Sequence, residues 1–253
     1  MHKALLALLL AGTVLVLQSS PQAAEGSAPP AQAWSFKGVF GTYDRAAARR
    51  GLQLYREVCA ACHSLNLVAF RHLGDIGFRE PEVKAVAEAY KVKDGPDDAG
   101  DMFERAGRPS DYFPAPFANA KAARASNGGA LPPDLSLIAK ARKQGPDYLY
   151  ALMTGFKAPP AGMTLMPGMN YNEYFPGHQI AMAPPLVEGA LTFADGTTAS
   201  VSQMAKDLVT FLSWTAEPEM EARKRLGVKV MLFLLVLTGL LYALMRTIWQ
   251  KLH

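Results

Sequence analysis

The stretch Cys59-Ala60-Ala61-Cys62-His63 constrains this chain more than any other feature. Its two cysteines are the only ones among 253 residues, and a histidine directly follows the second. The pattern C-x-x-C-H is the attachment sequence of c-type haem. Two thiols bond the porphyrin vinyl groups, and the adjacent imidazole can bind the iron as proximal ligand. The motif therefore predicts one covalent haem held by Cys59, Cys62 and His63.

A redox dithiol, a structural disulfide and half of a zinc site are the other interpretations of the cysteine pair. A zinc site needs a second pair of ligands at matching spacing, and the sequence contains no such pair. A thioredoxin-type dithiol should follow a strand, whereas the residues before Cys59 have a helical pattern. Covalent haem remains the favoured interpretation.

Both ends of the chain have the character of membrane-directed segments. Residues 1–24 combine a short basic start, an apolar run from Ala4 to Leu17 and a small-residue exit, which is typical of a secretory signal peptide. A second apolar run predicts a transmembrane anchor over residues 226–249, long enough to cross a bilayer. We therefore expect a periplasmic haem domain (25–222), a single anchor in the bacterial inner membrane and a cytoplasmic tail (250–253).

The charges around the anchor conflict with that orientation. Four cations precede the apolar run from Val230 to Met245 and two follow it, so the positive-inside rule alone would place the large domain in the cytoplasm. A cleaved signal peptide overrides this rule, because it commits the large domain that follows it to export. The chain has 26 Lys and Arg against 22 Asp and Glu, but seven of the cations lie in the signal or beside the anchor. The exported domain is thus mildly acidic, which argues against nucleic acid and admits a basic protein partner.

The exported domain is predicted to be mostly helical, with a loop-rich middle and too few alternating runs for a substantial sheet. Gly51 in the first helix indicates close approach of another element.

An acidic surface loop over residues 93–104 is either simply solvated or a docking patch for a basic electron carrier. Four helices are predicted: Asp44 to Val58, Pro81 to Val92, a helix from Asp134 onward, and Ser200 to Glu217-Pro218. Asp44, Asp134 and Ser200 are the expected N-caps, and Gln203 completes a capping box with Ser200.

The spacing of residues leaves the second iron ligand open. The candidates in the following segment are Met153, Met163, Met166, Met169, His178 and Met182. Met166 and Met182 lie in loops stiffened by proline, which suits a weak thioether ligand. Arg142 and Tyr148 offer a cation and a phenol to haem propionates, although both could equally be surface residues.

Several longer motifs resemble the cytochrome c1 family, the membrane-anchored haem subunits of cytochrome bc1 complexes. The resemblance runs from about Trp34 to the C-terminus. It rests on the haem motif and on Gly129-Ala130-Leu131-Pro132-Pro133-Asp134-Leu135-Ser136, Tyr174-Phe175-Pro176-Gly177, Ile180-Ala181-Met182-Ala183-Pro184-Pro185 and Trp214-Thr215-Ala216-Glu217-Pro218.

The resemblance implies a mainly α fold, a cytochrome c-like haem domain with long loop insertions plus one C-terminal transmembrane helix. It implies Met182 as the sixth iron ligand, Arg142 and Tyr148 at the propionates, and Pro132 in a turn beside the haem. Some bacterial relatives carry a further disulfide. This chain has no cysteine to spare, so packing must stabilise its Met182 loop.

The implied function is electron transfer without a catalytic residue, as part of a quinol–cytochrome c oxidoreductase. Electrons would arrive from a Rieske iron–sulfur protein and leave to a soluble or anchored cytochrome c, while the anchor packs against cytochrome b in the lipid bilayer. Two axial ligands, His63 and Met182, would keep the iron six-coordinate and closed to oxygen. Alternatives are an anchored cytochrome serving another electron-transport chain, a haem enzyme or sensor with an open iron position, and a thiol oxidoreductase.

Overall fold

The computed structural model describes residues 26–250, so the predicted signal peptide (1–24) and residues 251–253 lie outside the described part. The described chain is mainly helical, as predicted, with two short hairpins. Its α-helices are α1 (Arg45–Leu54), α2 (Glu80–Glu88), α3 (Ala120–Ser126), α4 (Gly145–Thr154), α5 (Val201–Ala216) and α6 (Met220–Trp249). Shorter helical turns are Tyr55–Cys59, Phe70–Ile76 and Pro176–His178, and the strands are β1 (Lys91–Asp94), β2 (Phe103–Ala106), β3 (Asn170–Tyr171) and β4 (Gln179–Ile180).

Helices α1 and α5 cross in direct contact at Gly51. A Cβ atom at Gly51 would lie 2.2 Å from the carbonyl oxygen of Asp207 and 2.6 Å from the Cβ of Phe211. The prediction of close approach at Gly51 is therefore confirmed, because only a hydrogen side chain leaves room for α5. Beside the crossing, the buried carboxylate of Asp207 accepts hydrogen bonds of 2.7 and 2.8 Å from the guanidinium of Arg50.

The predicted helix caps are largely confirmed. Asp44 accepts a hydrogen bond from the backbone N–H of Ala47 (3.0 Å), and Ser200 accepts one from Gln203 (3.2 Å). The side chain of Gln203 turns instead to Asp207, to which its Nε2 donates over 3.0 Å. The cap at Ser200 is thus present, while the side chain of Gln203 contributes to the buried polar group between α1 and α5.

Two predicted helices differ from the structure. The helix expected over 81–92 ends at Glu88, because Lys91 to Asp94 pair antiparallel with β2 and form a hairpin that encloses most of the predicted acidic loop. The segment after Asp134 makes only turns, because its carboxylate binds the Ser64–Asn66 segment as well as its own chain. A helix beginning at Asp134 was therefore a wrong prediction.

Helix α6 is a single 30-residue helix that is long and apolar enough to cross a membrane. Its most apolar window has a mean hydropathy of 2.3, and none of that window is buried against the rest of the structure. The first turns of α6 are bound to the domain, since Glu221 pairs with the guanidinium of Arg45 at 2.7 and 2.9 Å. The anchor predicted for 226–249 thus continues a helix that starts on the domain surface.

Candidate functional site

The C-x-x-C-H motif lies where α1 widens into a π-helical turn, Tyr55–Cys59. The N–H groups of Cys62 and His63 both donate to the carbonyl oxygen of Cys59, over 3.0 and 2.9 Å. The hydroxyl of Tyr55 donates to the carbonyl of His63 over 3.1 Å, so the end of the motif is bound to the buried start of the turn. One compact turn therefore carries both thiols and the imidazole, with Cys62 exposed.

The His63 imidazole is oriented by the turn that contains Pro132. Its Nδ1 lies 2.8 Å from the carbonyl oxygen of Pro133. A carbonyl oxygen can only accept, so Nδ1 carries the proton and Nε2 keeps a free lone pair. Burial lowers the pKa of His63, against the opposing effects of the Pro133 carbonyl and the Asp134 charge. A neutral imidazole held this way through its second nitrogen is the usual form of a metal-binding histidine.

The Asp134 carboxylate binds the Pro132–Pro133 turn to the segment after the motif. It accepts hydrogen bonds of 2.8 Å from the Ser64 hydroxyl, the Asn66 N–H and the Ser136 N–H. Burial alone would raise the pKa of Asp134, but these donors together lower it. The carboxylate is therefore ionised at neutral pH and acts as a hydrogen-bond acceptor next to Pro133, whose carbonyl binds His63.

The Cys59 thiol has the wrong acidity for thiol–disulfide exchange. Burial, followed by the nearby Cys62, raises the pKa of Cys59 to about 12. Redox-active cysteines instead have a depressed pKa, because the thiolate is the attacking species. A partly buried thiol beside an exposed one on a single turn, next to an oriented imidazole, matches the donor set that covalent haem requires.

The candidate sulfur ligands differ in exposure. Met182 is half-buried in the loop after β4, whereas the Met166 side chain is 55% exposed. The N–H of Met166 donates to the side-chain oxygen of Gln179 over 2.8 Å. His178 stacks its ring on Tyr171, with 5.8 Å between ring centroids. Exposure therefore argues against Met166, since a half-buried thioether shields the iron from water. Met153, Met163 and Met169 are half-buried like Met182, so exposure alone does not choose among these four.

The loop leading to Met182 is held by a buried residue that the sequence analysis missed, Asn172. Its Nδ2 donates to the carbonyl of Leu152 at the end of α4 (2.8 Å). Its Oδ1 accepts from the N–H groups of Tyr174 (3.0 Å) and Phe175 (3.2 Å), and its own N–H donates to the carbonyl of His178 (3.0 Å). An asparagine two residues before Tyr174-Phe175-Pro176-Gly177 was the only sequence signal, since such residues commonly bond the backbone of turns.

Arg142 and Tyr148 lie six residues apart in the chain, on either side of the start of α4. Arg142 is exposed and Tyr148 is half-buried. Burial raises the pKa of the Tyr148 phenol, and the charge of Arg142 partly offsets that rise. Separately, the structure brings the carbonyl of Pro133, the residue after Pro132, to His63.

Comparison with known proteins identifies the family to which this chain belongs. The sequence profile of the Cytochrome C1 family matches residues 34–252. Cytochrome c1 of Rhodospirillum rubrum is 47% identical, with 96% of each chain covered. The mitochondrial cytochrome c1 1 heme protein of Arabidopsis thaliana is 48% identical over 98% of this chain and 82% of its own length.

A longer protein is also similar to the whole chain. Cytochrome b/c1 of Bradyrhizobium diazoefficiens is 50% identical over 98% of this chain, which spans only 40% of that protein. Matches of this extent cover the haem motif, the Pro132–Pro133 turn, the Met182 loop and most of α6 together. The chain therefore belongs to the cytochrome c1 family, whose members carry a covalently bound c-type haem.

Proposed function

We propose that this electron-transfer protein carries one haem, bonded to Cys59 and Cys62 and ligated by His63 and Met182, within a membrane-bound bc1 complex. The observation that carries the proposal is the hydrogen bond from His63 Nδ1 to Pro133, which leaves Nε2 available to iron. When bound, haem supplies an iron that accepts and releases one electron. The protein contributes the binding groups, their orientation and the exclusion of water.

Each residue has a distinct part in this proposal. Pro133 fixes the ring plane and tautomer of His63, while the half-buried Met182 excludes water and favours the reduced state. Arg142 and Tyr148 would hold the propionates, and Pro132 would pack beside the ring. A positive charge at Arg142 stabilises the additional electron, so Arg142→Gln should lower the reduction potential.

The Met182 assignment is tested by Met182→Leu, with Met166→Leu as the matched control. We expect Met182→Leu to lower the reduction potential and to abolish the methionine–iron charge-transfer absorption. It should also permit carbon monoxide binding while leaving the haem attached. The same changes in Met166→Leu, with Met182→Leu unaffected, would overturn the assignment. Rapid carbon monoxide binding by the wild type would instead favour an open haem enzyme or sensor.

The complex and its topology are separate parts of the proposal. The haem domain lies in the periplasm of a bacterial cell, α6 crosses the inner membrane, and cytochrome b packs against α6. A Rieske protein supplies the electron and a cytochrome c removes it. One relative is named cytochrome b/c1, which supports an association with cytochrome b. Mild detergent extraction should co-purify cytochrome b and a Rieske protein, and purification without them would favour a carrier in another chain.

A further inference from the structure

A tight turn near the start of the domain presents two large apolar side chains to the surroundings. In this turn, residues 38–41, the N–H of Gly41 donates to the carbonyl of Gly38 over 3.3 Å, and Gly38 has a φ of 80°. Val39 is 63% exposed and Phe40 is 86% exposed. Central positions of turns in water are usually Gly, Asn, Asp, Ser or Pro. Two neighbouring apolar side chains at such a tip indicate a non-aqueous partner.

The base of the 38–41 turn is bound directly to the anchor helix. The ammonium group of Lys224 in α6 donates to the carbonyls of Phe36 (2.7 Å) and Gly41 (3.0 Å), one on each side of the turn. Phe36 is buried and stacks on Trp34, with 5.5 Å between ring centroids. The turn therefore projects from a packed base, and that base lies beside α6 just before its long apolar stretch begins at Leu226.

The cations at the same level of α6 divide into two groups. Arg223 pairs with Glu217, and Lys224 is occupied by the two backbone carbonyls. Arg225 and Lys229 are exposed one turn apart on the same face, and within residues 26–250 neither forms an ion pair with a carboxylate. Cations at the entry of a helix into a bilayer attract anionic lipid headgroups.

We propose that the 38–41 turn inserts into the membrane interface beside α6. Val39 and Phe40 contact the lipid chains, and Arg225 and Lys229 bind phosphates of anionic lipids. The lipid surface is the favoured partner because the turn lies beside the helix that enters the bilayer, and because the exposed cations Arg225 and Lys229 lie where that helix leaves the domain. A lone helix leaves a domain free to swivel, whereas a second contact beside it restricts that motion. The inference depends on α6 crossing the membrane and is independent of the haem ligands.

Photo-crosslinking in native membranes tests the insertion with the full-length chain. Phe40 is replaced by the photoreactive amino acid p-benzoylphenylalanine, and the irradiated protein is analysed by mass spectrometry. We expect an adduct of the chain with phospholipid. The same replacement at Leu232 in α6 is the positive control. Met102, which is 64% exposed between β1 and β2, is the matched control and should give no lipid adduct.

Two outcomes would overturn the insertion. One is a protein adduct at position 40 in place of lipid, which would identify the turn as a protein-docking surface. The other is no lipid adduct at position 40 while position 232 reacts.

The phosphate contacts are tested separately in vesicles. Crosslinking at position 40 is compared between vesicles of phosphatidylcholine alone and vesicles that also contain phosphatidylglycerol. We expect at least a twofold higher lipid-adduct yield with phosphatidylglycerol, and loss of that difference when Arg225→Gln and Lys229→Gln are combined. The control is Arg79→Gln, an exposed cation near α2. Equal yields in the two vesicle types would overturn the assignment of Arg225 and Lys229 to lipid phosphates.

Discussion

The imidazole Nδ1 of His63 lies 2.8 Å from the carbonyl oxygen of Pro133, 70 residues later in the chain. This contact joins the haem-attachment turn to the Pro132–Pro133 turn. Since a backbone carbonyl cannot be removed by mutation, its function is best tested through the side chain that positions the turn. Asp134 is that side chain, because it binds both segments.

Asp134→Ala should loosen the imidazole of His63. Removal of the carboxylate takes away the acceptor of three hydrogen bonds, which should cost about 2–4 kcal/mol of unfolding free energy. We also expect a broadened electron paramagnetic resonance spectrum of the ferric haem, with the haem still attached. Asp44→Ala, which removes the cap of α1, is the control and should cost stability without broadening the spectrum. An unchanged spectrum in Asp134→Ala would contradict the positioning role.

If Met182 is the iron ligand as proposed, Asn172→Ala should weaken that ligand without touching the iron site directly. The substitution leaves the Leu152 carbonyl and the N–H groups of Tyr174 and Phe175 without their partner, at a cost of about 3 kcal/mol. The expected signature is a weaker methionine–iron charge-transfer band and carbon monoxide binding that the wild type lacks.

Asn119→Ala is the matched control for Asn172→Ala. Asn119 caps α3, so its loss should cost about 1 kcal/mol and leave the haem spectrum unchanged. If Asn172→Ala lowered stability to the same small extent and kept the full charge-transfer band, another part of the loop would have to hold Met182.

Gly51→Ala should separate α1 from α5. The added methyl group meets the Asp207 backbone at 2.2 Å, so the helices must move apart or distort. Overpacking of this kind typically costs about 1–3 kcal/mol, which outweighs the gain in helix propensity. Urea unfolding measures the difference. Gly74→Ala is the control, since a Cβ at Gly74 meets nothing within 4 Å, and equal stability of the two variants would contradict the crossing.

The carboxyl groups of Asp94 and Asp111 should titrate below their ordinary pKa of 3.8, because both accept hydrogen bonds from Arg105. A pKa lowered by folding means that the ion pairs support the β1–β2 hairpin above pH 3.8. That support is lost as the pH falls through the folded-state values. Nuclear magnetic resonance titration of the carboxyl carbons measures both midpoints.

Arg105→Gln should raise both midpoints toward 3.8. Lys84→Gln, which removes an exposed cation from α2, should leave them in place. Wild-type midpoints at or above 3.8 would show that Arg105 does not bind these carboxylates in solution. The hairpin would then have two more free negative charges, which would strengthen its alternative role as a docking patch for a basic carrier.

Local sequence patterns determined several features of this protein by themselves. The haem motif, the anchor and the helix from Ser200 to Glu217 depend on side chains that are neighbours in the chain, so spacing and caps suffice to predict them. Gly51 likewise indicated that another element must approach α1 closely. Only the fold decided that the approaching element is α5, at Asp207 and Phe211.

Tertiary structure decided the features that depend on distant partners. Asp134 has the local pattern of a helix cap, yet it binds Ser64 and Asn66, and the following residues therefore form turns. Asn172 gave only a weak turn signal, because its bond to the Leu152 carbonyl depends on how the Met182 loop folds onto α4. The sequence thus predicted which groups hold the haem, whereas the tertiary structure decided which distant group orients His63, since hydrogen-bond partners 70 residues apart leave no local pattern.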